Sequence, residues 1–456
     1  MVDPQRITGT ERSLRRLAQV SIRSWCARIQ VIANRLEYRP ESFLPILFLL
    51  IMLAMIAGCS MLSEEAPQGT TKRNTGKASE ESTAMKRATK DPEKSTVRER
   101  VRDEPGERTS KEVSQLSLED AVGQMFVVGV GGTEPDYYIE KMIRERNIGG
   151  IILHGYNMQG KKQTQVMVSE LQKLSMKTSP CIPLIVSADQ EGGRISSAPW
   201  VTYQPPAATV GQSGDPAQVQ RIAEKMGRQL GAAGVNTNLA PVVDTGFGAA
   251  IGDRSFGTDP HLVSQMGAAA VRGFEAAGII STAKHFPNHG VAKVDSHTSL
   301  PVIDHDMQTI LSYDLPPFKQ AVKASVPMVM VGHLLYPAID PKRPASLSPI
   351  ATQLLREEVG FDGVIITDDL AMEGAKQGGT LAQAAVKAVS AGADMLIISS
   401  PPQLQADAYA AVVQGVEQGR ISQDQIDDSV ERILKLKKQY LLRYNFVKRV
   451  GSCGRN

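Results

Sequence analysis

The chain of 456 residues lacks most of the features that would place it quickly. Its four cysteines, Cys26, Cys59, Cys181 and Cys453, are far apart and form no CxxC pair. That spacing indicates neither a zinc site nor a disulfide framework. The net charge is only +3, and no stripe of basic and aromatic residues runs along the chain, so no nucleic-acid partner is expected. No G-x-G-x-x-G follows the first strand-like run, which weakens a dinucleotide-binding reading. No G-x-S-x-G is present, so a serine on a nucleophile elbow is not expected. What the chain does have is 42% hydrophobic residues, enough to bury a substantial core in one large domain or two ordinary ones.

The most apolar stretch, residues 43–58, reads FLPILFLLIMLAMIAG. It is short for a membrane span, which needs ~20 apolar residues. With Arg35 and Arg39 before it and polar residues after Ser60, it fits the core of an export signal. Ile56-Ala57-Gly58-Cys59 resembles the bacterial lipobox, in which the cysteine is lipidated and becomes the mature N-terminus. The expectation is therefore an export signal over 1–58 and a membrane partner held through a lipid on Cys59. Residues 59–114 are rich in Ser, Thr, Lys, Arg and Glu with few apolar side chains. Such a segment buries too little to offset its conformational entropy and is expected to be a disordered tether.

From Gln115 the character changes. Val- and Ile-rich runs at 125–130, 150–153, 184–188, 235–241, 280–283, 328–331, 364–367 and 395–399 alternate with amphipathic stretches such as 217–233, 262–277, 310–324, 347–359 and 381–391. Gly278 and Gly392 follow two of these stretches, as helix C-termini favour. Strands alternating with helices imply parallel βα units. Eight of them predict an α/β fold, a (β/α)8 TIM-type barrel over 115–447 as the single catalytic domain, with a closing helix over 423–444 and a short tail at 448–456. A doubly wound open sheet is the alternative. Nothing in the sequence sets an oligomeric state.

A barrel carries its chemistry at the carboxyl ends of its strands. Asp189, Glu191 and Arg194 stand after the third run, Asp244 and Arg254 beyond the fourth, Lys284 and His285 after the fifth, His333 after the sixth, and Asp368 and Asp369 after the seventh. Three of the seven histidines fall within the fourteen residues from Lys284 to His297, where Pro287 and Gly290 break the backbone. No cysteine lies at a strand end, which argues against thiol catalysis. Lys284 and Arg254 would compete with a cation for the carboxylates, so neither metal nor organic cofactor is expected. Carboxylates that accept beside Lys, Arg and His that donate suit a polyhydroxylated ligand such as a sugar. Glycoside cleavage needs a carboxylate on one side of the anomeric carbon and a proton donor on the other. On chemical grounds Glu191 and His297 both remain candidates for the donor.

Five segments together resemble family 3 glycoside hydrolases of the β-N-acetylglucosaminidase branch. They are ADQEGGR at 188–194, NLAPVVD at 238–244, IGDRSFGTDP at 251–260, KHFPNHG…DSH at 284–297 and GVIITDDLAMEGA at 363–375. The resemblance covers about 116–444. It implies a retaining exo-enzyme that removes N-acetylglucosamine from peptidoglycan fragments. Asp368 matches the nucleophile, His297 the acid/base and Asp295 its dyad partner, whereas Lys284, His285, Asp189 and Arg254 match positions that hold the sugar. Asp295 and His297 can meet only if the loop turns at Ser296. His289 is expected to structure its loop, His333 to be a pocket wall or a ligand contact, Asp244 to be structural, and Asp369 to brace the turn after Asp368. Two positions depart from the pattern. Asn288 stands where the family has glycine, on the expectation that asparagine tolerates positive φ. Ser197 stands where the family often has arginine. The competing expectations are a phosphorylase that uses phosphate as acceptor, a β-glucosidase or β-xylosidase of the same family, and a non-catalytic sugar-binding lipoprotein.

Overall fold

The computed structural model describes residues 112–399 and 401–442. The expected signal, Cys59, nearly all of the tether and the tail at 448–456 lie outside the described residues. Within them, eight parallel strands close a barrel: β1 (Phe126–Gly129), β2 (Gly150–Leu153), β3 (Ile185–Ala188), β6 (Thr237–Asn238), β7 (Ile280–Phe286), β8 (Met328–Val331), β9 (Val364–Asp369) and β10 (Met395–Ile398). β10 pairs with β1, with Leu396 beside Phe126, which closes the ring and leaves no sheet edge. A two-stranded antiparallel hairpin, β4 (Gln190–Gly192) and β5 (Ile195–Ser196), rises directly from the end of β3. The β2, β3, β8 and β10 strands are buried at every residue. Helices cover one face and barrel neighbours fill the other, which is why these strands read as continuous apolar runs.

The helices that matter for placing the strands are α1 (Pro216–Gly231), α2 (Pro260–Ala276), α3 (Pro316–Lys323), α4 (Leu381–Ser390) and α5 (Gln423–Lys437). α1 and α2 both open on an Asp-Pro pair. Asp215 and Asp259 accept from the backbone of Ala217 and His261, while Pro216 and Pro260 occupy a position whose N–H would be unbonded in any case. The two helices approach closely through glycines: a Cβ on Gly273 would fall 2.3 Å from the Gln220 carbonyl oxygen. α2 and α4 are followed by Gly278 (φ 73°) and Gly392 (φ 97°), the left-handed ends expected there.

Three expectations need correction in detail. The run at 235–241 yields only the two-residue β6, although Leu239 N–H still bonds the Ala188 carbonyl and the Ala240 carbonyl accepts from Thr282 N–H. The single helix expected at 310–324 is a π-helical turn, Ile310–Asp314, followed by α3, with proline at its first turn. Cys181 is disulfide-bonded, against the expectation of unpaired cysteines. At the amino-terminal end of the barrel the buried Asp394 carboxylate takes Arg356 (2.7 Å), Arg432 (2.8 Å) and the Ile365 N–H (2.8 Å), which ties β9 and α5 together. This cluster lies at the opposite end of the strands from the strand-end residues and reads as structure.

Candidate active site

A cavity of about 420 Å3 opens at the carboxyl end of the barrel. Asp189, Arg254, Lys284, His285, His297 and Asp368 all line it. Six of the seven expected barrel-site residues thus share one space, and the seventh, Asp295, is bonded to His297.

β7 carries its polar residues inside the strand. Lys284 is 2% exposed and lies between two carboxylates, with Nζ 2.5 Å from Asp189 Oδ1 and 2.8 Å from Glu191 Oε1. The hairpin after β3 brings Glu191 to this point. Its turn needs Gly192 and Gly193 at φ 104° and 54°, and a Cβ on Gly193 would sit 3.0 Å from Pro206. Arg254 closes on Glu191 from the other side, donating from Nε and Nη2 at 2.8 Å each. Burial alone would raise the Glu191 carboxyl, but Lys284 and Arg254 outweigh it and hold the group at about 2. Lys284 is likewise pushed down by burial and raised overall by Asp189 and Glu191. A carboxylate so compensated keeps no proton to donate near neutral pH. Glu191 therefore leaves the contest for proton donor on physical grounds, and its work is to hold Lys284 and Arg254 in place.

Behind this layer, Asp244 is fully buried. Its Oδ2 accepts from His285 Nδ1 at 2.7 Å, and its Oδ1 accepts from the backbone N–H groups of His285 (3.1 Å) and His289 (2.6 Å). Burial opposes its ionisation, yet His285 and these bonds lower it overall. Asp244 is structural, as expected, and it turns His285 toward the cavity with the Nε2 edge left for a ligand.

Asp368 is the penultimate residue of β9, half-buried, and lines the cavity. Burial would raise its carboxyl, but His285, His333, the Asp369 N–H at 2.8 Å and Lys284 outweigh it and bring it to about 2. Asp369 also lines the cavity, but both of its carboxylate oxygens are engaged. It accepts from Ala371 N at 2.9 Å and from the Ser399 hydroxyl, bracing the turn as expected. His333 is fully buried and does not line the cavity, against the expectation of a pocket wall or ligand contact. Its Nε2 lies 2.9 Å from the Asp369 carbonyl, which can only accept, so Nε2 carries the proton and Nδ1 accepts from Ser346 Oγ at 2.7 Å. Burial keeps this ring neutral by lowering its proton affinity.

The loop after β7 carries the expected Asp295–His297 pair. His297 Nδ1 meets Asp295 Oδ1 at 2.7 Å, and the same oxygen accepts the His297 backbone N–H at 3.0 Å. Ser296, between them, points inward and is 2% exposed, whereas the His297 and Asp295 side chains are 68% and 43% exposed. The turn at Ser296 required by the sequence is present. Partial burial would raise the Asp295 carboxyl, but the two bonds from His297 lower it overall. An ionised Asp295 accepts a hydrogen bond from Nδ1–H and leaves Nε2 as the free end of the imidazole.

Asn288 corrects one expectation. It has no positive φ, since the only such non-glycine residues among those described are Asn147, Ser325 and Gln377. It is a bonding hub instead. Its Oδ1 accepts from Thr245 N (3.0 Å) and Gly290 N (2.9 Å), and its Nδ2 donates to Thr245 O (3.1 Å) and Asp314 Oδ1 (2.8 Å). Two polar cavity residues escaped the sequence reading, His154 and Ser399. They follow directly on β2 and β10, so the strand-end rule applied to the other strands would have found them. Among the described residues no cluster of three or more His, Cys, Asp or Glu could hold a metal ion.

Comparison with known proteins places this geometry. The model of the glycosyl hydrolase family 3 N terminal domain matches residues 117–436. A β-hexosaminidase A from Pseudoalteromonas piscicida is 35% identical over 327 residues, covering 66% of this chain and 54% of that protein. A β-hexosaminidase from Thiobacillus denitrificans is 33% identical over 294 residues, covering 62% and 80%. Among solved structures, a family 3 β-N-acetylglucosaminidase from Paenibacillus sp. str. FPU-7 superposes with a TM-score of 0.70 at 38% identity, covering 72% of this chain and 63% of that one. A β-N-acetylhexosaminidase from Beutenbergia cavernae superposes with a TM-score of 0.66 at 32% identity, covering 71% and 99%. The chain spans only about half of the Pseudoalteromonas protein, whereas it spans nearly all of the Beutenbergia structure. With the barrel, the matched domain and the strand-end residues in agreement, the chain belongs to glycosyl hydrolase family 3.

Proposed function

We propose that the protein is a retaining exo-β-N-acetylglucosaminidase that releases N-acetylglucosamine from peptidoglycan fragments. The observation that carries this reading is the division of protons across one cavity. Asp368 is held ionised at about 2, Glu191 is neutralised by two cations, and the histidine of an Asp–His pair is the remaining acid/base on the rim. Asp368 attacks the anomeric carbon while His297 gives its Nε2 proton to the leaving oxygen, and the bond to the aglycone breaks as the glycosyl-enzyme ester forms. His297 then takes a proton from water, whose oxygen displaces Asp368. Asp295 orients the ring and stabilises its charged form. Asp189, Arg254, Lys284 and His285 hold the sugar hydroxyls and the N-acetyl group.

The exported, membrane-anchored location is part of the same proposal. It rests on the lipobox-like Cys59 and the apolar run before it. Among the described residues no helix is long and apolar enough to cross a membrane.

The test is to incubate the purified protein with chitobiose and defined muropeptides, with and without phosphate, and to repeat it with Asp368→Ala. Release of N-acetylglucosamine, lost in the variant, is the expected result. A phosphate-dependent sugar 1-phosphate would make the protein a phosphorylase, and inactivity under every condition would make it a binding protein. Near-wild-type turnover by Asp368→Ala would remove the proposed nucleophile.

A further inference from the structure

The dyad is held from inside by the residue between its members. The Asp295 and His297 side chains reach into solvent, and Ser296 alone of the three is buried. Its hydroxyl lies 2.8 Å from Nε2 of His289, a ring that is 2% exposed and that the proposed chemistry does not use. Its carbonyl oxygen accepts the Gly374 N–H at 3.1 Å. His289 belongs to the segment leaving β7, and its own N–H is fixed by Asp244. Gly374 follows β9, six residues beyond Asp368. Ser296 is thus tied on one side to the strand that holds Lys284 and His285, and on the other to the strand that carries Asp368. Both ties need small or specific groups. A Cβ on Gly374 would sit 3.0 Å from the Ser296 carbonyl oxygen and 3.0 Å from His333 Cβ. His289 Nδ1 is buried without a partner, so Ser296 is what its ring bonds. An unpartnered acceptor is tolerated better than an unpartnered N–H, which puts the proton on Nε2, donating to Ser296 Oγ. Burial keeps the ring neutral by lowering its proton affinity, consistent with that tautomer.

We propose that His289, through Ser296, and Gly374, by its close approach, are positioning residues that set the height of the Asp295–His297 pair over Asp368. His289 and Ser296 line the cavity, and the role assigned to them is to hold the pair in place, not to exchange protons with the substrate. The inference rests on the acid/base reading of His297, and the experiment separates the two. Steady-state rates are measured for wild type, His297→Ala, Ser296→Ala, His289→Gln, Gly374→Ala and the double variant Ser296→Ala/His297→Ala, on aryl β-N-acetylglucosaminides whose leaving groups range from activated to poor. Melting temperatures of each variant are recorded alongside. Loss of the anchoring bond is expected to slow poor leaving groups about tenfold, the scale of one buried hydrogen bond, while activated ones change less than about twofold. The double variant is expected to match His297→Ala alone, because the anchor acts only through that histidine. A purely structural Ser296 would lower all substrates equally, and that result, or additivity in the double variant, overturns the proposal. If His297→Ala itself shows no dependence on the leaving group, the acid/base reading fails. If His297→Ala shows the dependence and neither Ser296→Ala nor Gly374→Ala does, the anchoring alone fails.

Discussion

Lys284→Met removes the cation at the centre of the Asp189–Lys284–Glu191–Arg254 cluster without changing the side chain's length much. Lys284 is 2% exposed and contacts carboxylates at 2.5 and 2.8 Å. Its loss leaves Glu191 to Arg254 and leaves Asp189 without a described cation. Breaking a buried pair from one side costs about 3–5 kcal/mol, because the remaining charge is stranded. An independent figure comes from Glu191, whose carboxyl falls from its ordinary 4.5 to about 2. At 1.36 kcal/mol per tenfold change in proton affinity, that is about 3 kcal/mol, shared between Lys284 and Arg254. The sign follows from linkage. A depressed carboxyl contributes its stability above its unfolded value and loses it as pH falls through the folded one, here between about 4.5 and 2. Wild type has lost about half of this contribution by pH 3, whereas the variant has less of it to lose. Urea denaturation followed by circular dichroism should therefore show a gap of about 3–5 kcal/mol at pH 7, narrowing by on the order of 1 kcal/mol at pH 3. A gap under about 1 kcal/mol at pH 7, or one that does not narrow on acidification, would refute the reasoning.

Asn288→Gly deletes four hydrogen bonds and leaves the buried Asp314 carboxylate to His305 alone. A loss of about 2–3 kcal/mol is expected, read as a fall of several degrees in Tm, and an unchanged Tm would contradict the hub role. Lys437 is buried with Gln124 Oε1 as its described partner at 2.7 Å, and burial drops its amine to about 7. Its unfolded form binds the proton more tightly, so this group costs stability below pH 7, and the cost fades as pH rises toward 10.5. Lys437→Met should compare more favourably with wild type at pH 6 than at pH 10 in urea midpoints; a difference independent of pH would count against it. Cys59→Ser should move the protein out of the membrane fraction and abolish its labelling by a fatty-acid analogue, and persistence of either would remove the lipid anchor.

The strands were readable because parallel strands buried on both faces are written as Val and Ile runs. The exceptions have local causes. Lys284 and His285 lie within β7, but their polarity disguises the strand, and the apolar run at 235–241 holds only the two-residue β6. The Asp295–His297 pair was legible through the family resemblance, and with one residue between its members only a turn at Ser296 had to be supposed. Glu191 was not, and the reason is general. Its identity as a carboxylate is local, but its proton is set by Arg254, 63 residues on, and by Lys284, both delivered by the closure of the barrel. Ser296 shows the same limit, since its partner Gly374 arrives from a strand two positions around the ring. Asn288 inverts the case: a residue chosen on backbone grounds turns out to act through its side chain, toward Thr245 and Asp314. Residue type at a strand end thus signals that chemistry is present. Which carboxylate attacks, which one is silenced and which histidine moves the proton depend on contacts far apart in sequence, and these divide the work among groups that one chain of letters leaves equivalent.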